Sequence, residues 1–125
     1  MEELQKKLQN EVEVYKQIQR DYHKALINRQ QLDGQLNETT TVKDELYLLK
    51  SSNEVFKLIG PVLIKQDLNE AKQNVNKRIE FITNELKRVD TLINDLDAKQ
   101  ESQRESLDKL QQMFQMAQQK AAAEA

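Results

Sequence analysis

The sequence has no cysteine and no tryptophan, one proline, one histidine and two glycines in 125 residues. Without cysteine there are no disulfides and no thiolate chemistry. The lone histidine, His23, falls off the apolar stripes traced below and reads as solvated surface. It has no second histidine or cysteine to complete a transition-metal site, and the scattered carboxylates lack the loop spacing of a calcium site. No apolar run approaches the ~20 residues of a membrane-spanning helix. The N-terminal stretch Met-Glu-Glu-Leu-Gln-Lys-Lys has no signal-peptide core. Net charge is only -2, with both signs interspersed, so no concentrated face for nucleic acid is expected. There is no Gly-rich phosphate loop. Paired acids such as Glu2-Glu3 and Asp44-Glu45 read as solvated helix surface. General acid–base chemistry needs a concave, desolvated site, which a two-helix hairpin does not offer. The expectation is a soluble intracellular protein that is no enzyme and holds no cofactor.

What is present is charge and order. Charged residues make up 32% of the chain and aromatics 5%, a balance suited to long exposed helices. Such polarity also raises intrinsic disorder, but the apolar residues are too regularly spaced for that. In the first fifty residues Leu4, Glu11, Ile18, Ala25, Leu32, Thr39 and Leu46 form one heptad series. Leu8, Tyr15, Tyr22, Arg29, Leu36 and Lys43 form the other. Alternating steps of four and three place them on one helical stripe. In the second half Leu68, Val75, Ile82, Val89, Leu96, Gln103, Leu110 and Ala117 run beside Lys72, Ile79, Leu86, Ile93, Gln100, Leu107 and Phe114. The run from Val75 to Leu96 is unbroken. Glu-to-Lys pairs four apart, Glu3 with Lys7 and Glu105 with Lys109, add local support. Gly34 is the one glycine inside a helix. Arg29, Lys43, Lys72, Gln100 and Gln103 interrupt the stripes. Such residues set register or partner choice, and Gln100 and Gln103 equally fit a local loosening.

The spacing predicts helix one over about 2–50, ending where Ser51, Ser52 and Asn53 compete for the backbone. Helix two is predicted over about 67–120, with Asp67 and Glu70 as a capping-box-like pair. An Ala-rich tail follows, Ala121 to Ala125, which could fray or stay helical, fraying being the commoner behaviour of a terminus. Between them Val55-Phe56-Lys57-Leu58-Ile59 and Val62-Leu63-Ile64-Lys65 are rich in β-branched and large apolar residues, and Gly60-Pro61 supplies turn chemistry. A β-hairpin over about 55–66 is expected, with a kinked helix as the bland alternative. The fold class is therefore mostly α: a single domain, 1–125, of two long helices in an antiparallel coiled coil joined by a central β-hairpin.

A lone two-stranded hairpin is marginal in water. Its seven apolar side chains, Val55, Phe56, Leu58, Ile59, Val62, Leu63 and Ile64, would gain at most roughly 10–20 kcal/mol from full burial. Sister chains pairing on the open strand edges are the expected cover.

The segment Val55 to Gln66, followed by Asp67-Leu68-Asn69-Glu70-Ala71 and later by Lys77-Arg78-Ile79-Glu80-Phe81-Ile82, resembles the strand–turn–strand signature of β-type prefoldin subunits. Glu45-Leu46 and Leu48-Leu49 ahead of it extend the likeness to eukaryotic members, and it spans nearly the whole chain. The resemblance implies a heterohexamer of α- and β-type subunits whose hairpins form a double-barrel body with coiled-coil tentacles. It further implies a cytoplasmic chaperone that works without nucleotide. Unfolded clients such as actin and tubulin would be held at the tentacle tips and passed to the cytosolic group II chaperonin. On that reading Val55, Phe56, Leu58, Ile59, Val62, Leu63 and Ile64 make the subunit contacts. At the chain ends, Val12, Val14, Met113 and Met116 lie outside the main heptad positions, and Phe114 lies beside the two methionines. Methionine adapts to many shapes, which suits a client-binding tip. Incidental surface is the alternative for the four off-heptad residues, while Leu4, Leu8, Leu107 and Leu110 read as seam. A structural coiled-coil tether that binds no client is the rival function. Neither nucleic acid nor membrane is an expected partner.

Overall fold

The structure, a computed structural model of the chain, describes residues 2–124. Its elements in order are α1 (Glu2–Leu48), β1 (Val55–Ile59), β2 (Val62–Gln66) and α2 (Leu68–Glu124). Close contacts divide the chain into two compact units. One holds the chain up to Ile27 and from Asp90 onward; the other is Asn28–Val89.

In each unit a stretch of α1 lies against a stretch of α2. Every residue of the two heptad series on α1 and of the two on α2 is buried or half-buried. That is the outcome expected when an apolar stripe of helical period finds a partner. In Asn28–Val89 the buried residues are Thr39, Ala71, Val75, Ile82 and Val89, with Ile82 at 2% and Val89 at 0% exposure. In the other unit they are Ala25, Leu96 and Leu110. Thr39 is tolerated in this apolar company because its hydroxyl donates to the Gln35 carbonyl at 2.7 Å.

Several polar interruptions of the seam find partners, while Asn76 Oδ1 beside it is buried without one. Gln103 Nε2 donates to the Glu11 main-chain oxygen at 3.0 Å and also to the Glu11 carboxylate. Two residues that break the apolar stripe on different helices therefore satisfy each other. In the other unit Lys43 Nζ lies 5.7 Å and Lys72 Nζ 4.9 Å from the centre of the Tyr47 ring. Both distances lie within reach of a cation–π attraction. Asn76 Nδ2 donates to Tyr47 Oη at 2.9 Å, joining the two helices again.

The helix ends follow from local chemistry. α1 stops at Leu48, two residues short of the expected Lys50. The cause is Asn53, whose Oδ1 takes the Lys50 N–H at 2.7 Å, while the Asn53 N–H bonds back to the Lys50 carbonyl at 2.9 Å. α2 is capped by Asp67, whose Oδ2 accepts the Glu70 N–H at 3.1 Å. α2 continues through the Ala-rich tail to Glu124, the helical alternative for that segment and one that alanine's helix propensity favours.

β1 and β2 pair antiparallel, from Val55 opposite Gln66 to Ile59 opposite Val62. Gly60 has φ of 57°, and it is the one positive φ among the described residues. A positive φ at the first of two loop residues followed by proline's negative φ is the sign pattern of a II′ turn, whose twist suits a hairpin.

The two glycines should therefore respond in opposite ways to alanine. Nothing lies within 4 Å of a Cβ built on Gly34. Gly34→Ala should add about 0.5–1 kcal/mol of stability. Gly60→Ala should remove about 1 kcal/mol or more through strain at its positive φ. Urea unfolding followed by far-UV circular dichroism measures both. The Glu11–Gln103 contact should appear as a coupling of about 1 kcal/mol or more in a cycle of Glu11→Ala and Gln103→Ala. Additive single effects would mean the pair exerts no hold on the seam.

Candidate functional site

The hairpin register decides which side chains share a face, since residues directly opposite point the same way and successive residues alternate. Phe56, Leu58 and Leu63 fall on one face with Lys65. Val55, Ile59, Val62 and Ile64 fall on the other with Lys57 and Gln66. Both faces are thus predominantly apolar. An ordinary surface hairpin buries one face and wets the other, so a single supporting helix would satisfy it. This one needs cover on two sides. The richness of both strands in large apolar residues is visible in the sequence, and the register divides them between the two faces.

The chain itself supplies little of that cover. Phe56, Leu58, Ile59, Val62, Leu63 and Ile64 are between 48% and 67% exposed, and only Val55, at the strand base, is half-buried. Both outer strand edges lack a neighbouring strand, as the sheet has just two. One lysine stands on each face. Lys65 Nζ reaches Glu54 Oε1 at 3.4 Å. Cations so placed discourage indiscriminate edge pairing while leaving the apolar residues available.

The residues assigned to the tip separate into three environments. Val12 is half-buried and lines a groove with Leu8, Tyr15, Arg104, Leu107 and Gln111. Phe114 is half-buried, as its heptad position requires. Met113 and Met116, three apart on α2, are 56% and 69% exposed and share an outward face. Val14 is also exposed and does not line the groove with Val12. The open apolar surface is therefore carried by Met113, Met116 and Val14.

Charged groups elsewhere are engaged as solvated pairs. Arg88 meets Glu85 at 3.0 Å and Arg104 meets Glu101 at 2.6 Å, each three residues apart. Hydrogen bonding to these glutamates, and then their charge, raises both guanidinium pKa values above the ordinary range. Among the described residues no group of His, Asp or Glu could hold a metal ion, and no helix is long and apolar enough to cross a membrane. The exposed surfaces without a partner in this chain are chiefly the apolar ones of the hairpin and of Met113, Met116 and Val14.

Known proteins share this organisation. The chain is 54% identical over 115 residues to prefoldin subunit 6 of Mus musculus, covering 92% of this chain and 91% of that protein. Against prefoldin subunit 6 of Arabidopsis thaliana it is 47% identical over 116 residues, covering 93% and 90%. Its fold is similar to the crystal structure of the prefoldin beta subunit from Thermococcus strain KS-1, with a TM-score of 0.54 and 20% identity. That match covers 89% of this chain and 91% of the archaeal one. The sequence model of the prefoldin subunit family matches residues 9–114, which include the whole hairpin and the greater part of both helices, and the chain belongs to that family.

Proposed function

We propose that this chain is a subunit of a chaperone complex that works without nucleotide. It is joined to sister α- and β-type prefoldin subunits by its hairpin and holds unfolded polypeptide on the unit that contains both chain ends. The observation that carries this reading is the hairpin's two apolar faces. Six large side chains stand about half to two-thirds exposed. At ~1.5–3 kcal/mol for complete burial of each, covering what remains open is worth roughly 5–10 kcal/mol. That is comparable with the whole stability of a domain, and it makes a lasting joint. Strand edges beside these faces let incoming hairpins add main-chain hydrogen bonds as well.

Met113 and Met116 make a far smaller surface, with Val14 exposed separately on α1. One such patch binds weakly, and several subunits engaging one client convert weak contacts into useful avidity. The adaptable thioethers suit clients of no fixed shape, of which actin- and tubulin-like chains in transit to the cytosolic group II chaperonin are the proposed examples. Assembly and capture thus fall on different parts of the chain.

The assembly claim is tested by Leu58→Lys with Leu63→Lys, which places two like charges opposite each other on one hairpin face. Native mass spectrometry of the variant mixed with its sister subunits should find it unassembled, with helicity retained because the heptads are untouched. Persistence of the complex would remove the hairpin as the joint. For capture, Met113→Gln with Met116→Gln should leave assembly intact. About two- to tenfold more complex should then be needed to suppress light scattering by a denatured client without ATP. Equal suppression would remove these methionines from the client surface, and a wild-type complex that suppresses nothing would mark the chain as a coiled-coil tether.

A further inference from the structure

The hairpin holds two lysines, and their charges are met differently. On the face of Phe56, Leu58 and Leu63, Lys65 Nζ reaches Glu54 Oε1 at 3.4 Å, so that charge is answered from within the chain. On the opposite face Lys57 is exposed and has no hydrogen bond or ion pair among the described residues. The register surrounds it with mostly apolar side chains. Val55 and Ile59 lie two residues away along β1, Ile64 lies directly across, and Val62 and Gln66 lie on the diagonals. A cation at the centre of such a face is harmless while the face is wet. Once another chain covers that face, an unanswered ammonium becomes costly.

The strand edge beside Lys57 narrows what can cover it. Ile59 and Val62 close a two-residue loop and so bond to each other through their main chains, and Lys57 with Ile64 is the next pair of that kind. The N–H and C=O groups of Phe56 and Leu58 therefore point outward along the free edge of β1. An antiparallel strand laid on that edge satisfies them. It also sets one of its own side chains opposite Lys57, at the kind of position where facing residues approach most closely. A second copy of this chain is a poor supplier of that strand. Its strands, Val55–Ile59 and Val62–Gln66, offer only apolar residues, lysine and glutamine in any register. The carboxylates at the hairpin's base are engaged, Glu54 by Lys65 and Asp67 by the Glu70 N–H.

We infer that Lys57 selects the neighbour of β1: a strand from the hairpin of a sister prefoldin subunit that sets an aspartate or glutamate opposite it. This rests on the hairpin being the assembly joint, as proposed above, and names the chemistry of one partner strand. The apolar faces strengthen a joint with any hairpin of similar shape. The lysine supplies choice, because a neighbour with an apolar residue there strands the charge and one with a cation repels it. A second copy of this chain falls in one of those two groups or offers only a neutral glutamine.

The test starts from the complex assembled with sister prefoldin subunits. A zero-length carbodiimide joins an amine to a carboxylate only where the two meet, and the Lys65–Glu54 pair is its internal control. Mass spectrometry of the digest should find Lys57 linked to an Asp or Glu in a sister subunit's hairpin. The control link without a Lys57 link overturns the inference, and that is the result if Lys57 only snorkels past the covering chain into water. A Lys57 link to a carboxylate outside a sister hairpin overturns it too. In mixtures with the sister subunits, Lys57→Glu should weaken assembly about tenfold or more with helicity retained. Lys57→Gln should weaken it less, and Lys65→Gln should leave it unchanged; an equal loss from Lys57→Gln and Lys65→Gln counts against Lys57 as the selector. Changing the cross-linked carboxylate of the sister subunit to Lys should restore assembly with Lys57→Glu, and failure of that exchange refutes the pair. Lys57→Met, alone in analytical ultracentrifugation, should self-associate about tenfold more tightly than the wild-type chain. Equal self-association of the two would show that Lys57 does not exclude a second copy. Failure of the assembly reading shows separately, as a complex that survives Leu58→Lys with Leu63→Lys, and the inference then falls with it.

Discussion

Burial in this chain is confined to a seam between two helices, and the rest of its behaviour follows from how narrow that seam is. A helix paired with only one other can hide one stripe, and the two most deeply buried large side chains are Ile82 and Val89. No thick core forms to absorb the remaining apolar residues. The hairpin is therefore not tucked beneath the helices, and its two faces stay largely open. Lysines placed one on each face limit the hazard of that openness without closing it.

A narrow seam also makes each polar residue within it consequential, because few apolar neighbours can compensate for an unsatisfied group. The contacts found there are specific. Gln103 reaches across to Glu11, and Tyr47 takes two lysines near its ring and a hydrogen bond from Asn76. A purely apolar stripe of period three and four could slide by a heptad and still bury leucine against leucine. These contacts work only in one alignment. Glu11 and Gln103 look like imperfections in their own helices, yet they bond to each other in the pair.

That distinction accounts for what was legible before the structure. Both helices, the hairpin and its turn could be read from spacing and residue type, since period, Gly60-Pro61 and the Asp67 cap are local properties. The heptad stripes identified the sheltered residues of both helices, from Leu4 to Ala117. What could not be read were relations between distant residues. Neither Glu11 nor Gln103 names its partner until the helices are aligned. Likewise, Val12 was grouped with Val14 from the heptad count, yet a groove formed with Leu107 and Gln111 shelters one and leaves the other exposed.

The same limit bears on the two kinds of open surface. Surface meant for a permanent joint should be large, contiguous and backed by main-chain hydrogen bonding, and the hairpin offers all three. Surface meant to release its partner should be small and adaptable. Met113 and Met116 fit that requirement. Enlarging the methionine patch would strengthen each encounter but would also turn the patch into a second assembly joint, competing with the hairpin for sister chains. Capture by several weak contacts avoids the conflict, because a client long enough to reach more than one subunit gains avidity that a single neighbouring chain cannot.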